Sequence, residues 1–209
     1  MQLKQNLILA LIIFSVSNLV SAEVNWRVSP SRTNISFKVN HFVLMEVQGK
    51  FKDAEGQVTT KNEEDFSNAQ LEASIPVNTI DTGNEDRDSH LKKDVFFNAD
   101  KYPKMTFRSR SVIKKTDTEY EMLGSLTIRG TTLPVTFKVE NLGVSTSKKG
   151  VTRSKFIAKG TVDRYKFGLK WNELTEAGAM VVGENVEIEM DVTLEKMDTA
   201  LASASTLNN

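Results

Sequence analysis

The stretch Asn34 to His41, NISFKVNH, alternates without a break: Ile35, Phe37, Val39 and His41 share one side, and Asn34, Ser36, Lys38 and Asn40 the other. A period of two is the mark of a strand with one buried and one wet face. Working outward, the same period returns in Met45, Val47, Gly49 and Phe51, and again in Met105 and Phe107. It continues through Tyr120, Met122, Gly124, Leu126 and Ile128, then Leu133, Val135, Phe137 and Val139, then Phe156, Ala158, Gly160 and Val162. The last run sets Val186, Ile188, Met190, Val192 and Leu194 against Glu187, Glu189, Asp191, Thr193 and Glu195. With Gly56 to Thr60 and Leu71 to Val77, the expectation is roughly eight to ten strands, with Arg129-Gly130 as a tight hairpin tip.

One stretch departs from this period. Thr82-Gly83-Asn84-Glu85 has the spacing of a capping box, and Glu85 and Asp86 suit the positive end of a helix running to about Lys93. Leu91 and Val95, four apart, are expected to face the sheet together, followed by an aromatic connection through Phe96, Phe97 and Tyr102. The fold class is therefore all-β with a short helical insertion. About eight antiparallel strands form a sandwich or close into a barrel, and closure removes exposed strand edges. A barrel of that size is either filled by its own side chains or holds one small ligand. The inward phenylalanines Phe37, Phe51, Phe107, Phe137 and Phe156 fit both alternatives.

Composition narrows the function. In 209 residues, 27 Lys and Arg balance 27 Asp and Glu. No basic run exceeds two residues, so no nucleic-acid partner is expected. There is no cysteine, which removes disulfides, thiolate metal sites and thiol nucleophiles. The signatures of serine hydrolases, nucleotide-binding loops and zinc proteases are missing. Asp88-Ser89-His90 is adjacent only in print, because consecutive side chains on a helix point about 100° apart. No catalytic residue, metal site or cofactor is therefore expected. The first 22 residues read as an export signal, with Lys4, the apolar run Leu7 to Phe14, and small residues at Val20-Ser21-Ala22. Glu23 is the expected mature N-terminus. The apolar run is too short for a stable membrane anchor. Residues 23–196 form the domain, and 197–209 a flexible tail.

The block from Asn78 through Arg87-Asp88-Ser89-His90-Leu91, continuing through Asp94-Val95-Phe96-Phe97-Asn98 to Lys101-Tyr102-Pro103-Lys104-Met105-Thr106-Phe107, closely resembles the YceI-like family of bacterial proteins. Three further blocks agree: Phe37 to His41 with Gly49-Lys50-Phe51, Gly124 to Thr132 before Pro134-Val135, and Asp163 to Leu169. Where many relatives read D-x-x-H-S, this chain reads Ser29-Pro30-Ser31-Arg32-Thr33. The resemblance implies an extended lipocalin-like barrel in the periplasm that carries a long polyisoprenoid or related lipid in an apolar tunnel, without catalysis. On that basis Phe37, Val39, Phe51, Leu91, Phe96, Phe97, Met105, Phe107, Leu126, Phe137 and Phe156 are the expected tunnel residues. His41, Arg87, Asp88 and His90 are candidates for framing a head group, and Arg87, Asp88 and His90 serve equally well to cap and dock the helix. The alternative is an envelope stress protein with a solid barrel that acts through protein partners. The oligomeric state is open.

Overall fold

The computed structural model describes residues 23–41, 45–170 and 182–197; the expectations for the export signal and for the tail beyond residue 197 lie outside them. The strands are β1 (Val24–Val28), β2 (Asn34–His41), β3 (Met45–Phe51), β4 (Glu55–Thr60), β5 (Gln70–Pro76), β6 (Lys104–Lys114), β7 (Glu119–Ile128), β8 (Thr131–Thr146), β9 (Thr152–Asp163) and β10 (Val182–Lys196). A single α-helix among them, α1 (Glu85–Lys92), lies between β5 and β6. β1 was not anticipated. Its five residues alternate, with Trp26 and Val28 buried and Arg27 exposed, but so short a run carries little periodicity.

All neighbouring strands are antiparallel, in the order β1-β4-β5-β6-β7-β8-β9-β10-β2-β3, and β1 also pairs with β10. That extra pairing closes the sheet. The edge of β10 has two partners: Val182 to Asp191 pair with β2, and Leu194 to Lys196 with β1. β1 and β2 thus share one position around the ring. They are separated by the 3-10 turn Pro30–Arg32, where proline lacks the N–H that a continuous ladder needs. β3 and β4 likewise share a position, bent near Asp53, which has a φ of 60°. Ten segments therefore make a closed eight-stranded barrel. The β7–β8 turn is as expected, with Arg129 and Gly130 both at positive φ, 50° and 75°, as a two-residue hairpin requires.

The helix forms in the expected segment, but its cap lies two residues later. Asn84, not Thr82, is the N-cap, and its side chain accepts the Arg87 N–H. Thr82 is committed elsewhere: its hydroxyl donates to Asp88 and accepts from Arg87 Nε. Leu91 is partly buried against the core, whereas Val95 is 45% exposed. The pairing of the two fails because α1 ends at Lys92 and the chain turns before Val95.

The barrel has two distinct ends. At one, Arg129 donates from Nη1 to the Gly168 carbonyl and from Nη2 to the Asp94 carbonyl, both at 2.7 Å. The α1 segment is thereby tied to the β7–β8 turn. At the opposite end of β7, the loop between β4 and β5 is held by Asn68 N–H on the Val112 carbonyl. Its Phe66 packs 5.4 Å from the Trp26 ring and 4.7 Å from Phe156, centroid to centroid.

Candidate functional site

The inward faces of the strands do not fill the barrel. They surround a cavity of about 580 Å³ whose wall is almost wholly apolar. A solid barrel, one of the two possibilities the sequence left open, would have no such space.

All eleven expected apolar residues border this cavity. Phe37 and Val39 stand on β2 and Phe51 ends β3; Met105 and Phe107 come from β6 and Leu126 from β7. Phe137 and Phe156 line β8 and β9, while Leu91, Phe96 and Phe97 reach the cavity from the insertion. Three of these rings share a device. An ideal Cβ placed on Gly49 would lie 2.3 Å from the Phe37 ring, one on Gly124 2.2 Å from Phe107, and one on Gly160 2.6 Å from Phe137. Each ring therefore lies over the bare backbone of the neighbouring strand, against the wall and out of the lumen. Strand parity shows that these phenylalanines face inward. Whether they fill the lumen depends on the glycine opposite.

At the α1 end the wall becomes polar. Arg87 is anchored on Thr82, donating from Nε to its hydroxyl and from Nη2 to its carbonyl, each at 2.8 Å. Arg87, His90 and Leu91 all border the cavity, because positions i, i+3 and i+4 share a helix face. Asp88 does not border it. It points to the adjacent turn, where its carboxylate accepts the Thr82 N–H at 2.9 Å and the Thr82 hydroxyl. The side chain of His41 lies outside the described residues.

Sequence inspection did not select Arg164, which is 2% exposed and borders the cavity. Its guanidinium donates to the carbonyls of Gly183, Leu169 and Val182. It also stands 5.7 Å from the centroid of Phe96 and 4.5 Å from that of Tyr165. Burial pulls it below its ordinary value, while Tyr165, Asp163 and Glu184 act in the opposite direction; an arginine so placed remains charged. Its signal in the sequence was the Asp163 to Leu169 block, but nothing local assigns that arginine to a cavity. Phe66 and Tyr120 also border the space without having been selected. Among the described residues no cluster of three or more His, Asp or Glu is placed to hold a metal ion.

Comparison with known proteins agrees with this architecture. A UPF0312 protein of Staphylococcus epidermidis is 36% identical over 158 residues, spanning 75% of this chain and 89% of its own. The crystal structure of the Campylobacter jejuni YCEI protein superposes with a TM-score of 0.64 at 27% identity, over 77% of this chain and 91% of that one. A polyisoprenoid binding domain from Saccharophagus degradans shares the fold at 13% identity, with a TM-score of 0.56, over 82% of this chain and 98% of that one. The family model for the YceI-like domain matches residues 26–194. That span runs from Trp26, buried on β1, to Leu194, which borders the cavity from β10, and the chain belongs to the YceI-like family.

Proposed function

We propose that this protein is a carrier, not a catalyst, and that it sequesters a long polyisoprenoid or related amphiphilic lipid inside the barrel after export to the periplasm and loss of Met1 to Ala22. The observation that carries this reading is the 580 Å³ cavity with its almost continuous apolar wall. Each methylene moved from water into such a wall contributes roughly 0.8 kcal/mol, so chain length sets the gross affinity without specific polar contacts. The description of the Saccharophagus degradans domain as polyisoprenoid binding supports the same ligand class. Arg87 and Arg164 make the α1 end the place for an anionic head group, with Arg87 able to offer charge-assisted hydrogen bonds.

Native mass spectrometry of the periplasmic protein tests the proposal. The expected result is a chain beginning at Glu23 with additional mass that organic solvent releases, identifiable in a chloroform extract. A chain that retains Met1 to Ala22 in the membrane refutes export with cleavage, and a protein that neither carries nor takes up any long-chain lipid refutes the carrier function. Arg87→Ala is expected to weaken a phosphorylated isoprenoid by roughly 1.5–3 kcal/mol while sparing the free alcohol. Equal loss of both, with a lowered melting temperature, assigns Arg87 to holding Thr82 alone.

A further inference from the structure

The barrel wall is not made of strand all the way round. β3 pairs with β2 from Met45 to Phe51, but its other edge has no partner strand among the described residues. That edge is stitched near its end. The Lys50 N–H donates to the Asp81 carbonyl and the Asp81 N–H to the Lys50 carbonyl, each at 2.9 Å, and the Lys52 N–H donates to the Thr79 hydroxyl at 3.0 Å. The backbone groups of Gln48 and Glu46 point to the same side as those of Lys50, because alternate residues of a strand do so. They have no backbone partner among the described residues. What lies against this edge is the insertion. An ideal Cβ on Gly49 would stand 2.9 Å from the Thr82 methyl, and the Phe97 ring is 6.0 Å from that of Phe51. The cavity is bordered by Val47 on the strand and by Thr82, Arg87, His90 and Leu91 on the insertion.

The first turn of α1 is fastened to Thr82 as one body. The Thr82 N–H and hydroxyl donate to the Asp88 carboxylate, and Arg87 donates from Nε and Nη2 to the Thr82 hydroxyl and carbonyl. Thr82 directly follows Asp81, so α1 cannot move away from β3 without loading the Lys50–Asp81 bridge. The Asp81 carboxylate reinforces that bridge. It takes Lys52 Nζ at 3.0 Å and Lys50 Nζ at 3.7 Å, and accepts the Gly83 N–H at 3.0 Å. Exposed pairs of this kind are individually weak, and elements held by few buried contacts open locally. Asp81 itself is not on the cavity wall.

We propose that the slit between the Met45 to Gly49 edge of β3 and α1 is the passage by which a lipid chain enters and leaves the barrel. Asp81 is its latch, a positioning residue that sets the rate of exchange without touching the ligand. This rests on the carrier function proposed above. A latch acts on the barrier between bound and free protein, so it changes uptake and release by the same factor and leaves affinity alone.

The test uses delipidated full-length mature protein and cis-parinaric acid, a fluorescent polyene fatty acid whose emission rises out of water. Stopped flow gives its uptake, and displacement by palmitic acid its release. Asp81→Ala is expected to speed both by about fivefold, with affinity unchanged within about twofold. Lys50→Cys with Asp81→Cys puts thiols on directly opposed residues, whose Cα separation of about 5.5 Å suits a disulfide, in a chain without other cysteines. Oxidised, this staple should slow both rates about tenfold or more, and reduction should release them. The control staple, Thr146→Cys with Thr152→Cys, joins β8 to β9 away from the slit, where the two hydroxyls lie 2.9 Å apart, and should leave both rates unchanged. Equal slowing by the two staples overturns the proposal, as does no slowing by the first. So does an Asp81→Ala variant whose affinity changes while uptake does not. If parinaric acid binds and only the rates fail to respond, the carrier function stands; if neither fatty acid binds the wild-type protein, the carrier function falls with the proposal.

Discussion

The two ends of the barrel are built on opposite principles. At the Trp26 end, aromatic rings pack tilted or edge to face against one another, and the Trp26 and Glu195 polar groups are paired. Trp26 is completely buried, and its Nε1 donates to Thr60 at 3.0 Å. Outside it, Glu195 takes Arg153 at 2.9 Å and Arg27 at 3.0 Å. At the α1 end, by contrast, no residue of the helix itself is buried. Arg87 and Arg164 are held by carbonyls and hydroxyls, with guanidinium donors directed along the rim of an apolar space. Close packing resists deformation, whereas a short helix with no fully buried residue is the kind of element that opens locally at small cost. On the proposed carrier function, the comparison assigns stability to the first end and ligand exchange to the second.

The largest expected effect breaks the Trp26 end. Trp26→Ala removes a fully buried indole that is not on the cavity wall, and should cost about 3–5 kcal/mol. Urea denaturation measures the loss, and lipid titration of the folded protein should show affinity close to wild type. A variant that keeps its stability but loses lipid would reverse the assignment of the two ends.

An intermediate effect is expected at the α1 end. Gly49→Ala sets a methyl 2.3 Å from the Phe37 ring and 2.9 Å from the Thr82 methyl, pushing the ring into the lumen and disturbing the anchor of Arg87. A stability loss of about 1–3 kcal/mol is expected, accompanied by weaker binding of long chains than of short ones. Adding Phe37→Leu should restore long-chain binding. If Gly49→Ala leaves the chain-length preference unchanged, the ring does not control the bore.

The smallest effect is a dependence on pH at the Trp26 end. The Arg153 hydrogen bond holds the Glu195 carboxyl below the usual carboxylate value, with Arg27 adding to it and burial opposing. A lowered value in the folded state means that the stabilisation is complete above the unfolded glutamate range and is lost as pH falls through the folded value. Glu195→Gln should therefore cost about 1–2 kcal/mol at neutral pH, a melting shift of roughly 2–4 °C per kcal/mol. The difference from wild type should vanish in acid. A constant difference across the whole range would mean that the charge contributes nothing.

Facing was legible in the sequence because it is local. Side chains alternate along a strand whatever lies beyond it, so the inward set from Phe37 to Phe156 and the Arg129-Gly130 hairpin followed from neighbouring residues alone. The α1 insertion was legible for the same reason, although its cap shifted from Thr82 to Asn84 because the Thr82 hydroxyl was taken by Asp88 and Arg87. Closure was not local. It depends on β10 offering one edge to both β1 and β2, strands more than 140 residues earlier in the chain. Nor could alternation say whether inward rings fill a lumen or border one, since that is settled by glycines on the neighbouring strand. The same limit hid Arg164 and Tyr120: a residue's exposure and its hydrogen-bond partners are properties of the surroundings that assemble around it, and these exist only once the barrel has closed.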